Sequence, residues 1–419
     1  MENRFKKDLQ YYKFCAYGFL KNLRFFEAFL ILFYLEKGLN YTQIGSLYAL
    51  NEIIRNIFEI PAGILSDALG RRKTMVFSFI LYIISFVIFF FSETYFWFVP
   101  AILFYAFGDA FRTGTHKAMI LTYLKQKGWD KQKIHYYGHT RSWSQKGSAV
   151  SALLAGLIMF NMGSYKMIFL ISAIPYVLDL FLMLSYPKFL DGEIRALNRT
   201  EFKKVFVKVI REFLFSFKNK KILAAVSNTS LFSGYFKATK DYLQPLINTL
   251  AIGMPVFLWM EEQQKTAILI GVIYFFIYLM TSAVSHRSGK FADRFPSLHI
   301  TLSITMVIGF GVGLLSGIAY YYGITLFAVL LFLGIFLVEN LRRPIAVGYI
   351  SELLNKDILA TALSAESQLQ SLIATVVALA IGVLADVLGV GMAITIVSAT
   401  LIPFGLIFLY TARKNGSNF

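Results

Sequence analysis

The chain has 419 residues, of which 57% are hydrophobic and 17% aromatic, while only 16% are charged. A water-soluble globule of that composition would expose more apolar surface than it could hide, so lipid is the expected solvent. The net charge of +17 would suit nucleic acid only if Lys and Arg shared one soluble face; they alternate with apolar runs instead, so nucleic acid is not an expected partner. Cys15 is the only cysteine, which excludes an internal disulfide and a zinc or iron–sulfur cluster held by this chain's thiolates; no cofactor is expected.

Taken in chain order, Met1 to Lys13 is basic and polar, and the apolar stretch that follows outruns a signal sequence, so the N-terminus is expected to stay on the chain. A hydrocarbon core about 30 Å thick takes roughly 20 apolar residues per helix. On that measure the spacing predicts helices over residues 12–36, 42–65, 74–92, 96–124, 136–161, 165–186, 222–250, 265–286, 298–318, 323–350, 358–385 and 390–411. The expected fold is therefore all-α and membrane-integral, with twelve transmembrane helices in two six-helix halves, residues 1–186 and 222–419.

Between the halves lies a linker, residues 187–221, in which Phe202, Val205, Phe206, Val209, Ile210, Phe213, Leu214 and Phe217 recur at helical spacing opposite Lys203, Lys204, Lys208 and Arg211. Two readings fit this pattern: an amphipathic helix in the inner-leaflet interface, touching membrane lipid, or a linker helix packed under the bundle. One set of loops carries 27 Lys and Arg, ten of them between Lys188 and Lys221, and the opposite set carries three, Lys37, Lys166 and Lys265. By the positive-inside rule both termini and the linker face the cytoplasm of a cell (plasma or inner) membrane.

The turn after the second helix reads Gly63-Ile-Leu-Ser-Asp67-Ala-Leu-Gly70-Arg71-Arg72-Lys73. Gly63 permits close helix approach, Gly70 a tight turn, and the Asp67 carboxylate can pair with a cation or a helix N-terminus. In these residues the chain resembles the major facilitator superfamily, whose signature at this turn is Gly-x-x-x-Asp-x-x-Gly-Arg-Arg-Lys/Arg. The resemblance implies a secondary transporter working by alternating access, with this turn as a gating latch. Echoes of the spacing come at Gly289 and Asp293 between helices eight and nine, and at Gly382, Asp386 and Gly389 between eleven and twelve, where inverted three-helix repeats would put them. The fifth helix lacks the Gly-x-x-x-Gly-Pro motif of drug/proton antiporters and carries Arg141-Ser-Trp-Ser-Gln-Lys-Gly147-Ser148-Ala149 instead.

Eleven cations fall inside the spans (Lys21, Arg24, Arg55, Arg112, Lys117, Arg141, Lys146, Lys237, Lys240, Arg342, Arg343), against eight acids (Glu27, Glu52, Glu59, Asp109, Asp179, Asp241, Glu339, Glu366). Each costs about 2.5–3.5 kcal/mol at a helix centre, so they should face protein or a wet cavity. At 100° per residue, Glu52, Arg55 and Glu59 form one stripe, as do Asp109, Arg112 and His116, Glu339, Arg342 and Arg343, and Lys237, Lys240 and Asp241. Such stripes either bridge helices as salt bridges or line a cavity. The resemblance implies a cavity lined by helices one, four, seven and ten. Lys21, Arg24, Arg112, Arg141, Lys237, Lys240, Arg342 and Arg343 are then its candidate substrate residues, and Glu27, Asp109 and Glu339 the candidate proton-coupling acids. The excess of cations points to an anionic or zwitterionic small molecule.

No nucleotide-binding, nucleophile-elbow or His-Glu-x-x-His motif is present, so neither an enzyme nor a metal site is expected; His135 and His139 lie four apart without an acidic third ligand. A channel would not need a two-half repeat with paired gating turns. Two transport readings stay open, for a chain expected to be monomeric: proton-coupled export of amphiphilic or drug-like solutes, which is preferred, and proton-linked uptake of an organic anion.

Overall fold

The structure, a computed structural model, describes residues 6–129, 132–192, 204, 207, 211, 220–255, 259–353 and 356–416. The amphipathic stretch 202–217 lies almost wholly outside the described residues. Every regular element among those described is helical. In order they are α1 Leu9–Leu20, α2 Leu30–Glu36, α3 Tyr41–Leu69, α4 Arg71–Phe91, α5 Tyr95–Arg112, α6 Thr115–Gln126, α7 Lys133–Met162 and α8 Met167–Leu184. The second half has α9 Lys220–Thr239, α10 Leu243–Gly253, α11 Glu262–His286, α12 Ser288–Ala292, α13 Leu298–Tyr321, α14 Thr325–Leu353 and α15 Lys356–Gly416, the last broken at Gly389, where φ is +82°.

Six of these helices are long and apolar enough by themselves to cross a membrane, with α15 providing two spans across its break. The other spans are the charged second and fifth and the first, fourth and seventh, and those last three are each interrupted. The first runs as α1, four residues of loop, a 3₁₀ turn Phe25–Phe29, then α2. The fourth is cut between α5 and α6 at Gly114, φ +80°, and the seventh between α9 and α10 by a 3₁₀ turn at Lys240–Tyr242. The apolar runs 12–36, 96–124 and 222–250 are therefore spans, as expected, but not single helices.

By packing the chain divides into two compact units, Met1–Phe29 with Ile54–Val209, and Leu30–Ile53 with Ile210–Phe419. Apolar side chains face lipid as well as core, so packing depends on close backbone approach at small residues more than on driving oil from water. In the first unit a Cβ on Gly147 would run into the Phe19 carbonyl, and one on Gly18 would lie 3.0 Å from Ser144 Oγ, which brings α1 and α7 into contact. In the second, a Cβ on Gly45 of α3 would run into the Ala378 carbonyl, and one on Gly382 of α15 would lie 2.5 Å from the Tyr41 carbonyl. Beside that contact Asp386 accepts the backbone N–H groups of both Tyr41 and Thr42 at 2.8 Å, so a carboxylate on α15 caps the N-terminus of α3.

Candidate functional site

The breaks in the first, fourth and seventh spans are where those spans carry their charges. Leaving α1, the chain turns at Lys21, Asn22 Nδ2 donates to the Gly18 carbonyl at 2.7 Å, and Arg24 pairs with Glu27 across the loop and 3₁₀ turn at 3.7 Å. Arg24 Nε is buried and has no hydrogen-bond partner among the described residues. Backbone that leaves the helix within a membrane is tolerated only against protein or a wet cavity, which makes such breaks the natural place for a ligand.

At the end of α5 three donors converge on Asp109. Arg112 Nη2 reaches Oδ1 at 2.5 Å, Tyr82 OH donates to Oδ1 at 2.7 Å, and Arg55 Nη1 lies 3.5 Å from Oδ2. Arg112 Nε also donates to Tyr82 OH at 3.0 Å, closing a triangle. The helix then breaks because Gly114 takes a left-handed conformation that side chains with a Cβ adopt only at a cost. Behind the triangle the rings of Tyr82, Tyr105 and Tyr176 stand 5.1 Å apart, Tyr82 against each of the others, so the cations back onto an aromatic wall.

Within the second unit Lys240 Nζ donates to Asp241 Oδ1 at 2.7 Å, Tyr48 OH to Oδ2 at 3.0 Å, and Lys237 lies 3.7 Å from Glu52 and 3.4 Å from Ser371 Oγ. The second-span stripe thus reaches other helices through both Arg55 and Glu52. On α14, Glu339 accepts Ser233 Oγ on both oxygens, at 2.9 and 3.0 Å. Arg342 is 2% exposed and spent on neighbouring helices: Nη1 donates to the Leu302 carbonyl and to Thr305 Oγ1, Nη2 to the Asn228 carbonyl, and its plane lies 5.2 Å from the Phe232 ring. Arg343 and Arg141 are exposed.

In the signature turn, Gly70 has φ +98°, a conformation that requires glycine. Arg71 pairs with Asp67 at 3.2 Å and donates to Thr122 Oγ1 at 2.7 Å; Arg72 donates to the Tyr186 carbonyl at 3.0 Å; Lys73 is exposed. Gly63 and Gly289 are exposed, and among the described residues a Cβ at either would meet nothing within 4 Å, so the close helix approach suggested for Gly63 is not made among them. Asp293 stands exposed at the end of α12. Asp191 is the residue that sequence reasoning missed: it accepts the Arg72 N–H at 2.7 Å and packs on Gly70, capping α4 from the 3₁₀ turn Lys188–Asp191. Its signal is faint, the first of four acids in the basic segment after the sixth span.

Charges at the breaks of apolar spans, together with a glycine-hinged basic turn, are features of a polytopic membrane transporter. The family model described as Major Facilitator Superfamily matches residues 22–366, and the chain belongs to that superfamily. It is 24% identical over 334 residues to the uncharacterized MFS-type transporter YxaM of Bacillus subtilis (strain 168), covering 78% of this chain and 76% of that one. Among solved structures, a POT family transporter in complex with a thioalcohol-conjugated peptide superposes with TM-score 0.74 at 16% identity, over 97% of this chain and 96% of the other. The nucleoside transporter NupG superposes with TM-score 0.72 at 15% identity over 96% of each. These likenesses bear out the twelve-span fold, and the family match points to a membrane transporter.

Proposed function

We propose that the chain is a proton-coupled secondary transporter of a small amphiphilic organic anion, its carboxylate or phosphate held by Lys21, Arg24 and Arg112. The observation that carries this reading is the interruption of the first span at Lys21–Arg24, with Arg24 Nε buried and unpartnered and the aromatic wall behind. Guanidinium groups offer forked donors to carboxylate or phosphate, and the rings suit an apolar body. This favours the organic anion over export of drug-like solutes. The missing fifth-helix motif supports it as well, since Gly147 there is used to pack α7 against α1. The chain works by alternating access of residues 1–186 and 222–419 about the linker 187–221, with both termini in the cytoplasm, and the signature turn, with Gly289 and Asp293, acts as its latch.

A thermal-unfolding screen of the detergent-purified protein against organic anions, zwitterions and cations tests the reading, because a ligand of the folded state raises the midpoint by mass action. Stabilisation by an anion series, lost in Lys21→Gln and Arg24→Gln, is the expected outcome. Stabilisation by hydrophobic cations that survives both substitutions would return the protein to multidrug export.

A further inference from the structure

The first unit contains an acid that the site above leaves unused. Ser172, Tyr176 and Asp179 follow at i, i+4 and i+7 on α8 and are all buried. That face meets the interrupted first span: Ser172 Oγ accepts the Phe26 N–H at 3.3 Å, and Tyr176 OH donates to the Lys21 carbonyl at 3.4 Å. Asp179, one turn further on, has 0% exposure, and among the described residues neither carboxyl oxygen has a hydrogen-bond partner.

The titratable groups that act on it are Tyr17 and Lys21 of α1 and its end, Arg112 of α5 and Tyr186 at the end of its own helix; one layer further out, Tyr82 of α4 packs on Tyr176, His116 of α6 meets Tyr186, Tyr136 of α7 lies near Tyr186, and Glu27 on the 3₁₀ turn pairs with Arg24. The two cations that act on Asp179 are Lys21 and Arg112, and Arg112 is held by Asp109 and Tyr82. His116 is stacked 3.6 Å from the Tyr17 ring and shares a hydrogen bond with Tyr186 OH at 3.2 Å. Lys21 is thus the one neighbour in this group with a charge and a flexible stem to bring to Asp179.

A dry carboxylate without donors is several kcal/mol costlier than the carboxylic acid unless a cation moves in. We propose that Asp179 is a proton-binding site whose occupancy decides whether Lys21 is free to hold the transported anion. With the proton on, Asp179 is neutral and Lys21 stays at the helix break beside Arg24. When the proton leaves to water reaching the site, the Lys21 ammonium swings to the carboxylate and forms an ion pair, withdrawing from the anion. Proton and anion therefore bind with positive linkage and cross together in the same direction. The proton site stands on the geometry of α8; the anion half rests on the function proposed above.

Infrared spectroscopy of the full-length protein in detergent, titrated from acid to alkaline pH without ligand, tests the site directly. A protonated-carboxyl carbonyl band at neutral pH that disappears in Asp179→Asn is expected; a wild-type spectrum with no such band overturns the proposal. Should Asp179→Asn fail to fold, Lys21→Gln serves, because removing the counter-charge must move loss of the band to higher pH, and an unmoved loss is equally fatal. With benzoate as the probe, wild-type affinity is expected to fall up to about tenfold per pH unit above the midpoint, while Asp179→Asn stays flat. Benzoate, organic phosphate and sulfate all failing to bind, with the band intact, would overturn the anion reading and the coupling but uphold the proton site.

Discussion

Arg342 and Arg343 are adjacent in sequence and opposite in use. Arg342 gives its guanidinium to two carbonyls and a hydroxyl on helices 37 to 114 residues away, whereas Arg343 stands exposed. Arg342→Gln leaves buried acceptors unmet, and thermal unfolding in detergent should report a loss of about 1–3 kcal/mol. Arg343→Gln should leave the midpoint within experimental error. A midpoint unmoved by Arg342→Gln would show that its contacts are not structural. At this scale the sequence shows which spans bear charge, because ionisable residues in a 20-residue apolar run are costly and conspicuous. It does not show where each charge is spent, because the partners are chosen by helix packing. Asp191 on Arg72 and Asp179 beside Lys21 were unreadable for that reason.

The spans themselves were legible, since apolar runs and Lys/Arg loops recur without ambiguity, and the observed helices begin and end within a few residues of those expected. The interruptions were not, because an apolar average over 12–36 or 222–250 does not register the three or four residues that leave the α-helix there. Thr113-Gly114-Thr115 was the readable clue at the fourth span. Two glycine substitutions separate the physical causes. Among the described residues a Cβ at Gly114 would meet nothing within 4 Å, so Gly114→Ala costs only the left-handed strain, about 1–2 kcal/mol. Gly147→Leu instead drives side-chain atoms into the Phe19 carbonyl and must separate α1 from α7, so it should unfold at a markedly lower temperature and take anion stabilisation with it. Equal losses from the two variants would argue against close α1–α7 packing as the scaffold of the Lys21 break.

Two carboxylates, Asp67 and Asp386, share the Gly-x-x-x-Asp spacing near opposite ends of the spans, and they are differently engaged. Asp67 is 60% exposed and pairs with Arg71, while Asp386 caps α3 through two backbone N–H groups, beside the Gly45 and Gly382 close contacts. The echo at Asp386 was visible in the sequence, although it lies beyond the residues the family model matches; its use as a cap on a helix more than 300 residues away was not. If transport requires α3 to leave α15, the cap holds one state against the other, and a lost N-cap is worth about 0.5–2 kcal/mol. In a background without Cys15, a cysteine placed at Thr42 should therefore react severalfold faster with a water-soluble maleimide when Asp386→Asn is added. Asp67→Asn, which removes a latch proposed for the other state, should slow that labelling or leave it unchanged, and should lower the turnover of transport more than the affinity for substrate. Binding and turnover falling equally in Asp67→Asn, or Thr42 labelling unmoved by Asp386→Asn, would mean that the carboxylate in question fixes the fold and gates nothing.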